Sequence, residues 1–443
     1  MADFARSDDP DVQQQLDRLA ALSPGGDVLG LDRIARLLSR LGNPEHALPP
    51  VFHVAGTNGK GSTCAFLRAA LEAAGHDVHV YTSPHLVRFN ERIRLGGTLI
   101  DDALAAALLG EVLDAAGDIA PSFFEATTAA AFLAFARTPA DAAIVEVGLG
   151  GRLDATNVIE APLVTGIAAL GLDHQQFLGD DPVGIAGEKA GIAKRGVPLV
   201  TLRYDKPLRQ RIERVAAEAE AQWLERGAAW DAQQSAAGIN YRDGAGALDL
   251  PLPSLPGAHQ ASNAGLAVAM IRHQDRLVVP QAAFAAAMVR ADWPARLQRL
   301  DEGPLTARLP ADSLIWLDGG HNPAAAGAIA QFLATAITKE RSLHIVCGLL
   351  ANKDAVGVLK AFQTGDATYH FVPVEGHAHH APDRLVAIAG RMGKTALPAR
   401  SVAAALSQIA DRVGDESGPP AVLIMGSLYL AGTVLAENGQ SPA

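Results

Sequence analysis

A glycine-rich loop with a single lysine stands between an apolar run and a helical pattern. The run 51–55 has the composition of a buried strand, the loop reads Gly56-Thr57-Asn58-Gly59-Lys60-Gly61-Ser62, and 62–74 is helical in pattern. This order is typical of a phosphate-binding loop, because loop N–H groups and a helix N-terminus can hold phosphate oxygens. Lys60 can reach the outer phosphates as a point charge. The match is imperfect, since the common pattern has glycine at Val54 and a hydroxyl at Gly61, and an ordinary glycine-rich turn is the alternative.

Polar side chains follow three further apolar runs. Glu146 lies at the end of the run 142–147, Ser83 follows 78–82, and His174 follows 163–168. Ligands gather at the carboxyl ends of strands in open α/β sheets, and a buried carboxylate needs a partner, for which Mg²⁺ is a natural candidate. Histidine is a less usual magnesium ligand. The alternatives are a solvated strand end or an ion pair for the acid, and packing for the histidine.

A second polar motif, Asp318-Gly319-Gly320-His321-Asn322-Pro323, ends an apolar run and begins a helical pattern. Asn322 can cap that helix, and Pro323 suits its first position. Capping requires neither Asp318 nor His321. Both side chains are therefore free to face a cleft.

Apolar strands alternate with helices along the whole chain, which predicts an α/β fold with mostly parallel sheets covered on both faces. Further predicted strands lie at 197–200, 314–318, 343–347, 369–373 and 421–425. Predicted helical stretches lie at 10–47, 101–116, 125–137, 182–194 and 206–225, the last followed by a segment of hairpin type. A chain of 443 residues exceeds one typical core. We expect a first domain at 1–294, a linker at 295–298 and a second domain at 299–443.

Composition narrows the function classes. The net charge of -11 argues against a nucleic-acid interface, which usually needs a basic surface. The two cysteines, Cys64 and Cys347, lie in apolar patterns and suit a reducing compartment. The N-terminus has no apolar signal segment, and no apolar run of membrane-spanning length occurs. We therefore expect a cytoplasmic protein that binds neither nucleic acid nor membrane.

The sequence resembles the folylpolyglutamate synthase/dihydrofolate synthase family of the Mur-type ATP-dependent ligase superfamily. The stretches that carry the resemblance follow the family's order over nearly the whole chain: 56–62, Ser83-Pro84-His85-Leu86, 146–157, Leu172-Asp173-His174, Glu188-Lys189-Ala190-Gly191-Ile192 and 318–323. The resemblance implies a P-loop ATP-binding domain of the Mur-ligase type and a smaller, Rossmann-like C-terminal domain. It also implies a monomeric enzyme of folate biosynthesis and one-carbon metabolism.

The same resemblance implies roles for individual residues. Those implied to bind ATP are Thr57, Asn58, Gly59, Lys60, Asn263, Arg296 and Asp318. Those implied to bind magnesium are Ser83, Glu146 and His174, beside a carbamylated Lys189. Those implied to bind the pteroate are Ser122, Phe123, Phe124, Glu125, Leu153, Asp154 and Ala155. His321 and Ser427 match positions near the incoming glutamate, and Lys60, Lys189 and His321 are the expected catalytic residues. A pterin can stack on Phe123 or Phe124, although either ring could instead pack in the core.

The implied reaction is the ATP-dependent addition of L-glutamate to dihydropteroate or to a reduced folate through an acyl phosphate. One alternative is a Mur-type ligase that acts on a cell-wall nucleotide. The form of Lys60-Gly61-Ser62, the 83–86 loop and the lack of an additional N-terminal domain argue against it. The other alternative is a nucleotide-dependent switch without ligase activity, against which the pair Asp318 and His321 argues.

Overall fold

The computed structural model describes residues 7–22, 29–338, 341–362, 367–413 and 418–442. The chain packs as two compact units. The first unit contains the described residues of Met1–Ser254 and Gln260–Asp292, and the second contains those of Leu255–His259 and Trp293–Pro442.

The first unit is built on an eight-stranded sheet with the order β4-β3-β2-β5-β1-β6-β7-β8. Its strands are β1 (Val51–Ala55), β2 (Val78–Tyr81), β3 (Ile93–Leu95), β4 (Thr98–Leu99), β5 (Ala142–Glu146), β6 (Val164–Ile167), β7 (Pro198–Thr201) and β8 (Gln222–Glu225). The strands from β2 to β8 in this order pair in parallel, and only the β2–β3–β4 edge is antiparallel. The prediction of a mostly parallel sheet is therefore confirmed. β1 is entirely buried between β5 and β6, as a strand covered on both faces should be.

Helices cover this sheet. They are α1 (Pro10–Leu22), α2 (Asp32–Arg40), α3 (Lys60–Ala73), α4 (Asp102–Ala116), α5 (Phe123–Arg137), α6 (Gln175–Leu178), α7 (Pro182–Ala190), α8 (Lys206–Glu218), α9 (His259–Arg272) and α10 (Gln281–Arg290). The predicted helical stretch 10–47 is divided between α1, α2 and a 3-10 turn at Pro44–Ala47, and its residues 23–28 lie outside the described residues. No described helix is long and apolar enough to cross a membrane.

The prediction of one helix over 206–225 was wrong at its C-terminal end. The helix ends at Glu218, and Glu220 takes a left-handed φ of 53° that turns the chain back toward the sheet. Gln222–Glu225 then pairs with β7, burying Leu224. Sheet extension thus overrides the local helical pattern. The segment after it forms a three-stranded antiparallel sheet of β9 (Trp230–Ser235), β10 (Gly238–Asp243) and β11 (Gly246–Leu250).

The second unit contains a six-stranded sheet with the order β12-β13-β17-β14-β15-β16, parallel except for β12. Its strands are β12 (Gln298–Arg299), β13 (Leu314–Leu317), β14 (Leu343–Cys347), β15 (Thr368–Phe371), β16 (Ala396–Pro398) and β17 (Ala421–Met425). Its helices are α11 (Pro323–Ala336), α12 (Ala355–Ala361), α13 (Pro382–Arg391), α14 (Val402–Val413) and α15 (Leu428–Glu437). The predicted strands of both units are present, with ends within about two residues.

Two neutral histidines are buried in these sheets, which makes folding sensitive to acid. Burial, helped by the charge of Lys194, lowers the pKa of His53 in β1 to about 3. Burial, with His370 and Arg412 nearby, lowers the pKa of His344 in β14 to about 4. Both values lie below the ordinary 6.5, so the unfolded chain binds protons that the folded chain does not.

We therefore expect the stability that these histidines contribute to be complete above about pH 6.5 and to be lost as the pH falls toward 4. His53→Gln removes one titrating group and keeps a nitrogen donor near the same place. Its unfolding temperature should fall less steeply between about pH 7 and 5 than that of the parent chain. Parallel curves for the two proteins would contradict a role for His53 in acid sensitivity.

Candidate active site

The predicted phosphate loop joins β1 to α3 at the carboxyl end of the central strand. Gly59 caps α3 with a φ of 85°, which favours glycine, and a Cβ there would clash with Oδ1 of Asn263. Gly56 has little space as well, because a Cβ there would lie 2.9 Å from Cβ of Ala168. The glycines thus allow the loop backbone to turn sharply into the helix N-terminus, where backbone N–H groups can bind an anion.

The loop is braced by the segment that follows β6. The backbone N–H groups of Thr57 and Asn58 donate to the carbonyl of Ala169 at 2.8 and 3.1 Å. The Thr57 hydroxyl lies 3.0 Å from the carbonyl oxygen of Gly171, to which it donates. These bonds fix the loop before any ligand arrives. The Thr57 hydroxyl therefore has a structural role in bracing the loop, which does not depend on a contact with phosphate.

Lys60 and Glu146 meet although 86 positions separate them in the sequence. The Lys60 Nζ lies 3.7 Å from Oε1 of Glu146, and both side chains are largely buried. The backbone N–H of Ser83 donates to the other oxygen, Oε2 of Glu146, at 3.2 Å. The parallel order β2-β5-β1 brings these three strand ends side by side. The arrangement places one ammonium and one carboxylate beside a loop suited to phosphate.

The predicted magnesium ligands Ser83, Glu146 and His174 lie at or after the carboxyl ends of β2, β5 and β6. His174 is the N-cap of α6 and has a left-handed φ of 52°. It follows β6, which pairs with β1 on the side opposite to β5. Among the described residues, no group of three or more His, Cys, Asp and Glu side chains could hold a metal alone. Mg²⁺ commonly takes one or two carboxylates and completes its shell with phosphate oxygens and water. Glu146 is suited to be that carboxylate.

Lys189 lies under the phosphate loop, where the interior alters its acidity. Its Nζ donates to the carbonyl of Gly56 at 3.0 Å, and the side chain is buried. Burial, helped by the charge of Lys60, lowers the pKa of Lys189 to about 7, against the smaller opposing effect of Asp173 and Asp154. At neutral pH a large fraction of this amine is uncharged and therefore nucleophilic.

Two predicted pteroate residues also have clear local roles. Ser122 caps α5 by accepting from the Glu125 N–H at 3.2 Å, and Oε2 of Glu125 accepts from the Ser122 N–H at 2.7 Å. Arg33 of α2 donates to the Glu125 carboxylate at 3.0 Å. This reciprocal capping fixes where α5 begins. The arginine was not predicted from the sequence, since nothing local links it to a residue 92 positions away.

The two phenylalanines at the start of α5 are half-buried. The Phe124 ring stacks on Tyr81 at a centroid distance of 5.9 Å and fills the space beside Gly148. The Phe123 ring lies 5.0 Å from the guanidinium carbon of Arg92, itself buried. Each ring therefore packs on protein and keeps part of its surface exposed.

Asp154 organises the loop after β5. Its carboxylate accepts from the Leu149 N–H at 2.7 Å and from the N–H and hydroxyl of Thr156 at 3.0 and 2.5 Å. The hydroxyl of Thr156 in turn accepts from Nε2 of His53 at 2.8 Å, because its own proton is used on Asp154. Burial raises the pKa of Asp154. Leu153 is half-buried and Ala155 buried beside it.

In the second unit, Asp318 holds the turn that carries Arg296. The two oxygens of Asp318 accept from the N–H groups of Leu297 and Gly320 at 2.8 and 2.6 Å. Ala295 and Leu297 on either side of Arg296 have left-handed φ values of 55° and 48°, which non-glycine residues adopt only when held. Burial raises the pKa of Asp318, against the opposing charge of Arg296. Asp318 thus holds the backbone next to Arg296, so the positions of these two predicted ATP-binding residues depend on each other.

His321 and Ser427 follow neighbouring strands, β13 and β17. The Nδ1 of His321 lies 2.9 Å from the carbonyl oxygen of Gly319, which can only accept, so Nδ1 carries a proton and donates to it. Ser427 is buried and caps α15 by accepting from the Tyr429 N–H at 3.1 Å. Asn322 caps α11 as predicted, accepting from the Ala325 N–H at 2.9 Å.

Comparisons with known proteins found a family model and relatives to which this chain is similar. The family model described as dihydrofolate synthetase, C-terminal domain, matches residues 305–437. The dihydrofolate synthase/folylpolyglutamate synthase of Escherichia coli is 34% identical over 408 residues, which cover 92% of this chain and 90% of that protein. The Bacillus subtilis protein of the same name is 36% identical over 358 residues, covering 77% of this chain and 80% of that protein.

Solved structures of similar proteins have the same fold as this chain. The structure of E. coli FolC in complex with DHPP and ADP superposes with a TM-score of 0.85 at 33% identity, covering 96% of this chain and 97% of that one. A bifunctional folylpolyglutamate synthase/dihydrofolate synthase with Mn, AMPPNP and L-glutamate bound gives a TM-score of 0.81 at 32% identity, covering 95% of this chain and 97% of that one. The similarity thus extends over both units and not over the phosphate loop alone.

Proposed function

The chain belongs to the dihydrofolate synthase/folylpolyglutamate synthase family, and from this membership we propose how its residues carry out the reaction. The protein is an ATP-dependent ligase that adds L-glutamate to dihydropteroate and to reduced folates, with ATP and a divalent metal as cofactors. The observation that best supports the mechanism is the meeting of Lys60 and Glu146 beside the glycine loop.

We propose that a substrate carboxylate oxygen attacks the γ-phosphorus of ATP, and ADP leaves. Thr57, Asn58, Gly59 and Asn263 hold the nucleotide, and Lys60 balances the charge that develops on the transferred phosphoryl group. Ser83, Glu146 and His174 would hold Mg²⁺, which when bound neutralises phosphate charge. The hydrogen bonds that brace Thr57 and Asn58 support the role of the loop in binding the nucleotide, because a fixed loop needs little reorganisation when ATP binds.

The amine of glutamate then attacks the acyl carbon, an amide bond forms and phosphate leaves. We propose that His321 accepts the proton that the amine releases, and the bond from its Nδ1 to the Gly319 carbonyl supports this role because it fixes the orientation of the ring. Ser427 follows β17, the strand that pairs with β13, and would orient the glutamate. Ser122, Phe123, Phe124, Glu125, Leu153, Asp154 and Ala155 would line the pteroate site.

We also propose that Lys189 carries a carbamate. The neutral amine nitrogen attacks the carbon of CO₂, a C–N bond forms, and one proton is released to solvent. The lowered pKa of Lys189 supplies the neutral amine, and the charge of Lys60 favours the anionic product. The carbamate would hold the metal's water shell in place as an outer ligand.

Glu146→Gln should raise the magnesium concentration that half-maximal activity requires by about tenfold or more, because a neutral amide is a poorer ligand for a hard cation. The substitution keeps the size of the side chain, and the amide oxygen can still accept from the Ser83 N–H. Magnesium titrations of activity in the parent and the variant measure the effect, with unfolding temperature as the control for structure. Titrations that coincide would show that Glu146 is not a ligand.

Product analysis tests the function as a whole. The protein is incubated with ATP, magnesium and glutamate, together with either dihydropteroate or tetrahydrofolate, and each component is omitted in turn. Phosphate release should require all components, and mass spectrometry should find one added glutamyl group on each acceptor. Phosphate release without either acceptor would favour a nucleotide switch. Activity only with a cell-wall nucleotide would favour a Mur-type ligase.

We further propose that the enzyme acts as a monomer in the cytoplasm, without nucleic-acid or membrane partners. The net charge of -11 supports the first absence, since nucleic-acid interfaces are usually basic. Light scattering during turnover would measure the oligomeric state.

A further inference from the structure

A buried glutamine on α9 contacts a predicted ATP residue. Gln260 is fully buried in the first turn of α9, and its Oε1 accepts from Nδ2 of Asn263 at 2.9 Å. Residues three apart lie on the same face of a helix, so this bond needs no distortion. The Nε2 of Gln260 has no hydrogen-bond partner within the described part of the chain. A buried donor without a partner lowers stability, so apolar packing alone would favour another residue here.

The bond to Gln260 decides which atom of Asn263 faces the phosphate loop. With Nδ2 directed at Gln260, Oδ1 is the carboxamide atom nearest to the Cβ position of Gly59, whereas Nδ2 lies 3.2 Å from that position. A free carboxamide could rotate by half a turn and present its donor instead. The absence of a side chain at Gly59 leaves room for this oxygen.

We propose that Gln260 is a positioning residue for nucleotide binding, because it fixes the carboxamide of Asn263 with the oxygen toward Gly59. This inference rests on the proposed ATP contact of Asn263. Gln260 itself need not touch ATP. Its function is to remove the rotational freedom of Asn263 before the nucleotide binds, which lowers the entropy cost of binding.

The test is Gln260→Met, which keeps the shape of the side chain and removes the acceptor. KM for ATP and the dissociation constant for ADP should each rise about tenfold, the effect of losing roughly one hydrogen bond, while kcat and KM for glutamate change less than about twofold. The matched control is Gln274→Met just beyond α9, where the amide bonds only to nearby backbone groups of Ile271, Arg276 and Leu277. This control should lower the unfolding temperature without changing KM for ATP.

A double-mutant cycle separates positioning from general loosening of the helix. In an Asn263→Ala background, Gln260→Met should cause no further rise in KM for ATP, because nothing is left to orient. A full additional tenfold rise there, or an unchanged KM for Gln260→Met in the parent, would overturn the inference. If Asn263→Ala alone leaves KM for ATP unchanged, the proposed ATP contact itself is wrong. These results are distinguishable.

Discussion

Lys60→Ala should nearly abolish turnover and leave the fold intact. The backbone of the phosphate loop is held by Gly56, Gly59 and the bonds to Ala169, none of which uses the lysine side chain. The ammonium lies 3.7 Å from Oε1 of Glu146, and we propose that the charge of the transferred phosphate develops beside it. Removing such a charge costs about 2–4 kcal/mol or more of transition-state stabilisation.

Single-turnover measurement of acyl-phosphate formation at saturating ATP would detect this loss, with thermal unfolding to verify the fold. Lys206→Ala is the matched control, because Lys206 is an exposed lysine at the start of α8. That control should keep the parent rate. Near-normal turnover of Lys60→Ala at saturating ATP would refute the phosphate-loop assignment.

Lys189→Ala should be nearly inactive, and a short carboxylic acid should partly restore it. The parent side chain is buried under the loop with a pKa of about 7, which allows the amine to react with CO₂ near neutrality. Alanine would leave a cavity and would remove the proposed carbamate. Acetate or propionate entering that cavity would supply a carboxylate in its place, and kcat should rise with acid concentration.

The matched control for this rescue is Lys60→Ala, in which the same acids should have no effect, because a carboxylate cannot replace an ammonium. Mass spectrometry of the intact parent protein under CO₂ should show an addition on Lys189 that is lost in acid. Full activity of Lys189→Ala, or a free ammonium at this position in a crystal with nucleotide and magnesium bound, would contradict the carbamate.

Local sequence patterns decided the elements and several of the site residues. Apolar runs in the sequence predicted the strands. The glycine-rich sequence of residues 56–62 predicted a loop between a strand and a helix, because glycine φ values and helix caps are properties of a few adjacent residues. Asn322 and Pro323 fixed the start of α11 for the same reason. The segment Gln222–Glu225 has a helical pattern in the sequence, but it forms a strand because it pairs with β7 at the edge of the sheet.

Only the tertiary structure decided which of these residues meet and how they are charged. The order β2-β5-β1-β6 brings Ser83, Glu146 and Lys60 to one edge, and that order is not written in any local pattern. The pKa of Lys189 depends on its burial, which is a property of packing rather than of the lysine. The bond of Gln260 to Asn263 joins two residues on one helix, but only the placement of α9 beside the phosphate loop directs the Asn263 oxygen toward Gly59.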